Sequence, residues 1–135
     1  MCRTVHDDID FSVGPKMVFK AYLDSRTHAR FTGMPARMSA KVGGHFTAAG
    51  DYIEGYNLDL VPGKRIVQAW RGSDWPKGAW SVITLQLTSK GKGAHLVFDQ
   101  RGIPEKVTNG ATKEAWEQYY WAPMRTFFSN PKNSK

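Results

Sequence analysis

Four histidines and one cysteine are the side chains of this sequence best suited to catalysis or metal binding. His6, His28, His45 and His95 are spread over different parts of the chain, and none of them has a second histidine at the spacing of paired zinc ligands. Cys2 has no neighbouring base that would activate a thiolate. The sequence also has no GxSxG motif and no glycine-rich phosphate loop. We therefore predict no catalytic residues, no metal site and no cofactor.

The aromatic content is the strongest functional signal, with seven Phe, five Trp and five Tyr. Several of these rings should converge between a C-terminal helix and a sheet. Buried Tyr and Trp need partners for their O–H and N–H groups, which a ligand cavity can supply. We interpret the group as the wall of a cavity for a small apolar molecule, such as a lipid or an aromatic metabolite, or alternatively as a closely packed core. Its members are Phe46, Tyr56, Trp70, Phe98, Trp116, Tyr119, Tyr120 and Met124.

Trp75 and Pro76 lie in a predicted loop, where they are candidates for contact with a protein partner, because exposed Trp is enriched at interface hot spots. The alternative is that Trp75 folds back over the edge of the sheet. The chain has 19 Lys and Arg against 12 Asp and Glu, a net charge of +7, which permits an acidic partner. The basic residues form no block and the aromatic residues form no open platform, so we predict no nucleic-acid binding.

Alternating apolar and polar residues in the middle of the chain predict a series of strands joined by short turns. Such connections are too short for parallel crossovers, so the sheet should be antiparallel. In one strand we expect Tyr56, Leu58 and Leu60 to share the inner face. Two short helices should precede this series, the first opened by Pro15 and the second capped by Asp24. The predicted strands are 5–11, 38–42, 45–49, 56–60, 65–71, 81–88 and 96–99.

A long helix is predicted over residues 111–128, because large apolar residues recur there at spacings of three and four. Such a helix would be about 27 Å long, which is close to the width of about 29 Å that seven strands would span. It should lie across the concave face of a curved sheet with its aromatic side inward. Pro123 lacks an N–H group and crowds the carbonyl of Tyr119, so we expect a kink at that point.

This order of elements resembles the helix-grip fold, an α+β fold shared by START-type lipid-transfer domains, birch-pollen-allergen-like proteins and polyketide cyclases. Six sequence motifs narrow the resemblance to the C-terminal domain of the activator of heat shock protein 90 (Hsp90) ATPase and its stand-alone homologues. The resemblance extends from about Phe11 to Phe128. The motifs lie at 18–21, 43–46, 60–71, 75–78, 101–104 and 116–120.

The resemblance implies a single helix-grip domain over residues 1–128, which we expect to be followed by a disordered tail at 129–135. The full-length eukaryotic co-chaperone has a separate N-terminal domain with an Asn- and Trp-rich motif, and we expect that tether to be lacking here. The implied function is binding, in the manner of a co-chaperone, with Hsp90 as partner. The alternatives are a carrier or sensor of a small apolar ligand, or a cyclase-like enzyme of the same superfamily.

The sequence also predicts a cytoplasmic protein. Its apolar runs are too short for a transmembrane helix, so we expect no membrane insertion. Its first residues lack the apolar core of a signal peptide. A single cysteine excludes an intramolecular disulfide, as is typical of a reducing compartment.

Overall fold

A computed structural model describes residues 2–108 and 110–133. In it a six-stranded antiparallel sheet, in the order β1-β6-β5-β4-β3-β2, is covered on one face by helices. The α+β helix-grip (START-like) architecture predicted from the sequence is confirmed. The strands are β1 Cys2–Phe11, β2 His45–Ala48, β3 Ile53–Val61, β4 Arg65–Gly72, β5 Ser81–Lys90 and β6 Gly93–Pro104. The first two helices are α1 Pro15–Leu23 and α2 Ser25–Thr32.

The seventh predicted strand, at 38–42, is wrong. The segment forms only an isolated bridge between Arg37 and Thr47 just before it, and Val42 is 63% exposed. The side chain of Asn57 supplies the reason, since its Nδ2 donates hydrogen bonds to the backbone carbonyls of Ser39 and Lys41. These carbonyls are satisfied by a side chain instead of a neighbouring strand, so the alternating pattern does not become a sheet ladder.

The predicted orientation of β3 is also wrong at its centre. Asn57 pairs with Gln68 and Asp59 with Val67, so a bulge at Leu58 interrupts the register. Tyr56 and Leu58 are exposed on the outer face, whereas Asn57 is buried. Leu60 packs against the core beyond the bulge, as expected.

Gly55 explains why the inner face of β3 carries no large side chain at this point. A Cβ atom on Gly55 would lie 2.0 Å from the carbonyl oxygen of Ala69 and 2.5 Å from the ring of Phe46. Phe46 therefore occupies the space that an inward side chain from β3 would need. The aromatic residue next in sequence, Tyr56, must point to the opposite face.

The two short helices begin where their predicted signals lie. Pro15 occupies the first turn of α1, after Gly14. Asp24 caps α2 by accepting a hydrogen bond from the backbone N–H of Thr27 at 3.0 Å. Gly33 ends α2 in the left-handed conformation, at φ 74°.

The C-terminal helix, predicted at 111–128, consists of three consecutive segments. They are α3 Lys113–Trp116, a π-helical turn Glu117–Trp121 and α4 Ala122–Ser129. The irregularity that we expected as a kink at Pro123 takes the form of this π-helical turn, in which the N–H of Ala122 donates to the carbonyl of Glu117, five residues earlier. A π-helical turn contains one residue more than an α-helical turn. This turn ends just before Pro123, which has no N–H to donate.

The π-helical turn also changes which aromatic residues face the sheet. Trp116 and Trp121 lie five residues apart, yet both are buried and their rings stack at 5.5 Å with an interplanar angle of 19°. Tyr119 is 47% exposed. The buried residues of the C-terminal helix are Trp116, Tyr120, Trp121, Met124 and Phe128.

The predicted domain limits, 1–128 with a disordered tail at 129–135, stay a prediction. Helix α4 includes Ser129, and Pro131–Asn133 form a short 3₁₀ helix. The side chain of Asn133 donates to the carbonyl of Phe127 at 3.1 Å. The last two residues of the predicted tail lie outside the described residues. No helix in the described part of the chain is long and apolar enough to cross a membrane.

Candidate functional site

A cavity of about 370 Å³ lies beside the C-terminal helix, next to β3 and β4. This volume falls within the range of about 300–1,000 Å³ that is typical of small-molecule sites. The exposed side chains of Asp74 and Tyr119 form part of its wall, so the cavity reaches the surface there. Its wall consists of Met34, Ala49, Tyr52, Ile53, Trp70, Asp74, Gly110, Ala115, Trp116, Tyr119 and Tyr120.

A chain of buried hydrogen bonds links the indole ring of Trp116 to the backbone of Trp70, another residue of the cavity wall. Trp116 Nε1 donates to Gln100 Oε1 at 2.8 Å, and Gln100 Nε2 donates to Ser81 Oγ at 3.0 Å. Ser81 Oγ in turn donates to the backbone carbonyl of Trp70 at 2.8 Å. Because all members of this chain are buried, it fixes the orientation of the Trp116 ring relative to β4, β5 and β6.

A buried histidine fixes the third large ring, Tyr120. The Nδ1 of His28 lies 2.8 Å from the carbonyl oxygen of Tyr22, so Nδ1 must carry the proton, since a carbonyl only accepts. The Nε2 of His28 is then the acceptor for the hydroxyl of Tyr120, at 2.9 Å. Burial lowers the pKa of His28 to about 4 and raises the pKa of Tyr120, so both groups are neutral at pH 7.

The rim of the cavity carries a carboxylate. The hydroxyl of Tyr52 donates to Asp74 Oδ1 at 2.6 Å. Partial burial, together with the hydrogen bond to Asp74 and its negative charge, raises the pKa of Tyr52 to about 12. Asp74 is the only charged side chain in the wall of the cavity, as far as the described residues show.

The structure places the eight predicted cavity residues in three different environments. Four of them are in the cavity wall: Trp70, Trp116, Tyr119 and Tyr120. Three are buried in the core away from the cavity wall: Phe46, Phe98 and Met124. The assignment of Tyr56 to the cavity is wrong, because Tyr56 lies on the outer face of the sheet and is 43% exposed.

The exposed anchor predicted at Trp75 and Pro76 is wrong for Trp75. This residue is only 4% exposed and packs edge-to-face on Trp70, with ring centroids 5.7 Å apart. The alternative interpretation, in which Trp75 folds back over the sheet, fits this geometry. Pro76 is exposed, and it lines a shallow groove with Asp74 and Lys106.

Seven cavity residues were not predicted. Most come from loops or strand ends, where no periodic pattern marks an inward side chain. Ala115 could have been found, because it directly precedes Trp116 at the start of the C-terminal helix. The residues are Met34, Ala49, Tyr52, Ile53, Asp74, Gly110 and Ala115.

An exposed aromatic group lies on the opposite, outer face of the sheet. We call it the outer cluster and define it as His45, Glu54, Tyr56, Arg71 and Trp80. The ring of Tyr56 lies 5.0 Å from His45 and 6.0 Å from Trp80, and the guanidinium of Arg71 lies 5.7 Å from the centre of the Trp80 ring. Glu54 contacts both His45, at 3.3 Å, and Arg71, at 3.5 Å. These contacts give the cluster a defined arrangement, in which Tyr56 and Trp80 are exposed and the Arg71 side chain is only 13% exposed.

A second polar group lies at the β1 edge of the same outer face. His6 Nδ1 is 2.7 Å from Asp99, and His95 Nδ1 is 2.7 Å from Asp10, which also contacts Lys90 at 2.7 Å. The hydrogen bonds to Asp99 and Asp10 raise the pKa of His6 and of His95, respectively. Across residues 2–108 and 110–133, no group of three His, Cys, Asp or Glu side chains has the arrangement of a metal site.

The six-stranded sheet and the helices on its inner face define a START-like fold, with a cavity beside the C-terminal helix. A solved structure of an HSP90 activator from Plasmodium falciparum superposes with a TM-score of 0.85 over 95% of this chain and 97% of that one, at 24% identity. The structure of Ara h 8.0201 superposes with a TM-score of 0.65 over 87% of each chain, at 9% identity. At these identities, the two similarities establish the fold.

Sequence comparison establishes the family. The model for activator of Hsp90 ATPase homolog 1-like proteins matches residues 12–129, so the chain belongs to this family, as the sequence motifs predicted. The human activator of 90 kDa heat shock protein ATPase homolog 1 is 31% identical over 118 residues, which are 87% of this chain and 35% of the human protein. A Dictyostelium discoideum relative of similar name is 31% identical over 121 residues, 89% of this chain and 31% of the relative. The chain thus spans about a third of the length of these curated relatives.

Proposed function

We propose that this domain acts as a co-chaperone-type module that binds an Hsp90 chaperone through the outer cluster. Family membership supports the choice of partner, since curated relatives are named as activators of the 90 kDa heat shock protein ATPase. Because the chain spans only part of those relatives, the proposal concerns binding by this domain and leaves the stimulation of ATPase activity to be measured.

The observation that carries the proposal is the exposed aromatic surface of the outer cluster. Tyr56 and Trp80 are 43% and 39% exposed, although large aromatic rings usually lie inside a domain of this kind. Arg71 packs on the ring of Trp80. Tyr, Trp and Arg are the residue types most enriched at the centres of protein interfaces, and the rigid rings of Tyr and Trp bury a large area with little loss of side-chain freedom.

The surroundings of the outer cluster favour a partner with acidic groups. Val82, on the neighbouring strand β5, is exposed and extends the apolar surface. Its cross-strand partner on β6 is Arg101, which is also exposed. Together with the net charge of +7, Arg101 should attract an acidic face of the chaperone, and the association should weaken as salt increases.

The test is a titration of the cognate Hsp90 with this domain at low and at physiological salt. We expect the double variant Tyr56→Ser/Trp80→Ala to bind at least tenfold more weakly than the wild type, because it removes both exposed rings. Gln86→Ala, an exposed position elsewhere on the outer face, is the control and should bind like the wild type. Chaperone ATPase activity, measured in the same samples, reports whether binding stimulates turnover.

Two results would contradict the proposal. The first is the absence of any chemical-shift change at low salt with the cognate chaperone. The second is equal binding by the wild type and the double variant, which would move the contact away from the outer cluster.

The cavity supports a second candidate function, the binding of a small apolar ligand. Its volume of about 370 Å³ and its wall, in which five of the eleven residues are aromatic, are the specific observations in favour. Native mass spectrometry of freshly purified protein should detect a co-purified ligand, and a lipid panel should quench the fluorescence of Trp70 and Trp116. Asp74 is the single charged side chain among the described wall residues, so no observation favours the cyclase-like alternative.

A further inference from the structure

We propose that the cavity takes a ring-containing apolar molecule that carries a protonated amine, with Asp74 as the counter-ion of that amine. This inference rests on the second function proposed above, the binding of a small ligand in the cavity. It adds the chemistry of the ligand's polar end and the direction in which the ligand lies.

The wall of the cavity favours a flat, cationic ligand. Trp70, Trp116 and Tyr120 line the space with aromatic rings. Hydrogen bonds fix the rings of Trp116 and Tyr120, as described above, and the ring of Trp70 packs directly against Trp116. Aromatic rings pack well against other rings. Their faces also carry negative electrostatic potential, which attracts a cation within about 6 Å.

The rim of the cavity supplies a hydrogen-bond acceptor at one end. Asp74 Oδ1 is held by the Tyr52 hydroxyl at 2.6 Å, which limits the rotation of the carboxylate. No hydrogen bond to Asp74 Oδ2 occurs within the described residues, so this oxygen can accept from a ligand. An ionised carboxylate has no proton to donate, so its best partner is a donor with positive charge.

An anionic ligand fits the same site less well. Its charged group would approach Asp74 and the negative faces of the rings. Lys106 lines the neighbouring groove with Asp74 and Pro76 and is not part of the cavity wall, so it does not supply a compensating cation there. We therefore expect the ligand to pack its rings against the wall formed by Trp70 and Trp116, which contact each other with centroids 5.5 Å apart, and to place its ammonium group beside Asp74.

Three probes that share a naphthalene body test this arrangement: naphthalen-1-ylmethylamine, naphthalen-1-ylmethanol and 1-naphthoic acid. In calorimetric titrations at pH 7, the amine should bind about tenfold more tightly than the alcohol, and the acid should bind most weakly. Asp74→Asn should remove the advantage of the amine over the alcohol. Asp59→Asn makes the same change of charge outside the cavity and should keep that advantage.

Two further measurements locate the probes. Ala115→Phe would fill part of the cavity from its helical wall, so it should abolish the binding of all three compounds. In ¹H–¹⁵N spectra, the indole signal of Trp116 should move when the amine is added. The signal of Trp80, on the outer face, should stay in place.

The outcomes separate this inference from the function on which it rests. If the amine and the alcohol bind equally, or if the acid binds best, the assignment of Asp74 is overturned while ligand binding in the cavity stands. If none of the probes binds and no apolar ligand co-purifies, the carrier function fails and the inference fails with it. An amine preference that Asp74→Asn abolishes and Ala115→Phe blocks supports both.

Discussion

The two faces of the sheet use the same residue types in opposite ways. On the inner face, Trp116 is buried, donates a hydrogen bond to Gln100 and packs against Phe98 with ring centroids 4.4 Å apart. On the outer face, Trp80 is exposed and contacts Tyr56 and the Arg71 guanidinium. The inner rings are fixed by close packing, to which Trp116 and Tyr120 add buried hydrogen bonds, whereas the outer rings are held by pairwise contacts in water.

This difference separates stability from recognition. A ring that is buried on all sides contributes to the free energy of unfolding, because its removal leaves a cavity. An exposed ring contributes little to folding, so its area remains available to a partner. The comparison therefore predicts that substitutions of inner rings lower the free energy of unfolding, whereas equivalent substitutions of outer rings weaken binding to a partner.

The largest expected contrast is between two tryptophans. Trp116→Ala should lower the free energy of unfolding by about 3–5 kcal/mol, since it empties the centre of the aromatic core. Trp80→Ala should lower it by less than about 1 kcal/mol. Urea denaturation of both variants measures the difference directly.

Two additional measurements sharpen this contrast. If Trp116→Ala proves too unstable to fold, Trp116→Phe should still be clearly less stable than the wild type. Equal losses at Trp116 and Trp80 would show that the outer cluster is as important for folding as the core, and would weaken its assignment as a binding surface.

The next contrast concerns the buried histidine. His28 has a pKa of about 4 in the folded protein, against an ordinary value of 6.5. Between these values the unfolded chain takes up a proton that the folded protein does not, so stability must fall as the pH falls. A shift of this size corresponds to a loss of roughly 3 kcal/mol between pH 7 and pH 4.

Urea denaturation at a series of pH values tests this effect. We expect His28→Gln to remove most of the loss between pH 6.5 and pH 4, although the variant should be less stable at pH 7. His6→Gln, at the edge of the outer face, should retain the loss. An unchanged pH dependence in His28→Gln would mean that another group causes the acid sensitivity.

The sequence predicted the inner face well wherever a simple period holds. The spacing in the C-terminal helix placed Trp116, Tyr120 and Met124 inward, and the alternation in β4 placed Trp70 there. These positions follow from the geometry of a helix or a strand alone, so no tertiary information is needed.

The errors in predicting which side chains face inward have local structural causes, which the hydrophobic period of a strand or a helix does not reveal. Along β3, the space for an inward side chain is taken by Phe46, so glycine stands at position 55 and Tyr56 points outward. Because strand side chains alternate, an error of one residue moves the whole set to the other face. In the C-terminal helix, the π-helical turn brings Trp121 inward beside Trp116, which a regular helical period does not predict.

The residues at the rim of the cavity could not be predicted from the sequence, for a different reason. Asp74 lies in the turn after β4, and Tyr52 lies just before β3. The two side chains meet only because β3 and β4 pair along their length. Loop residues carry no burial pattern, so their convergence depends on the tertiary fold.

A smaller contrast compares one glutamine on each face. Gln100 accepts from Trp116 Nε1, so Gln100→Leu would leave that buried N–H without its partner and should cost about 1–3 kcal/mol. Gln86→Leu, at an exposed position of the outer face, should change stability by about 0.5 kcal/mol or less. Urea denaturation gives both values, and a neutral Gln100→Leu would show that the buried hydrogen-bond chain is dispensable.

The smallest expected effect is at the β1 edge, where the histidines behave in the opposite sense to His28. The pKa values of His6 and His95 are raised, mainly by hydrogen bonds to Asp99 and Asp10. A raised pKa stabilises the folded protein below about pH 6.5, and this contribution is lost as the pH rises through the folded-state value. Because both histidines are on the surface, the effect on stability should be slight, and NMR titration of the imidazole signals is the sensitive measurement.

Asp99→Asn should lower the pKa of His6 while leaving that of His95 raised, because His95 is paired with Asp10. If the pKa of His6 is the same in Asp99→Asn as in the wild type, the hydrogen bond to Asp99 does not form in solution. The opposite signs at His28 and His6 would then no longer be explained by burial on one face and ion pairing on the other.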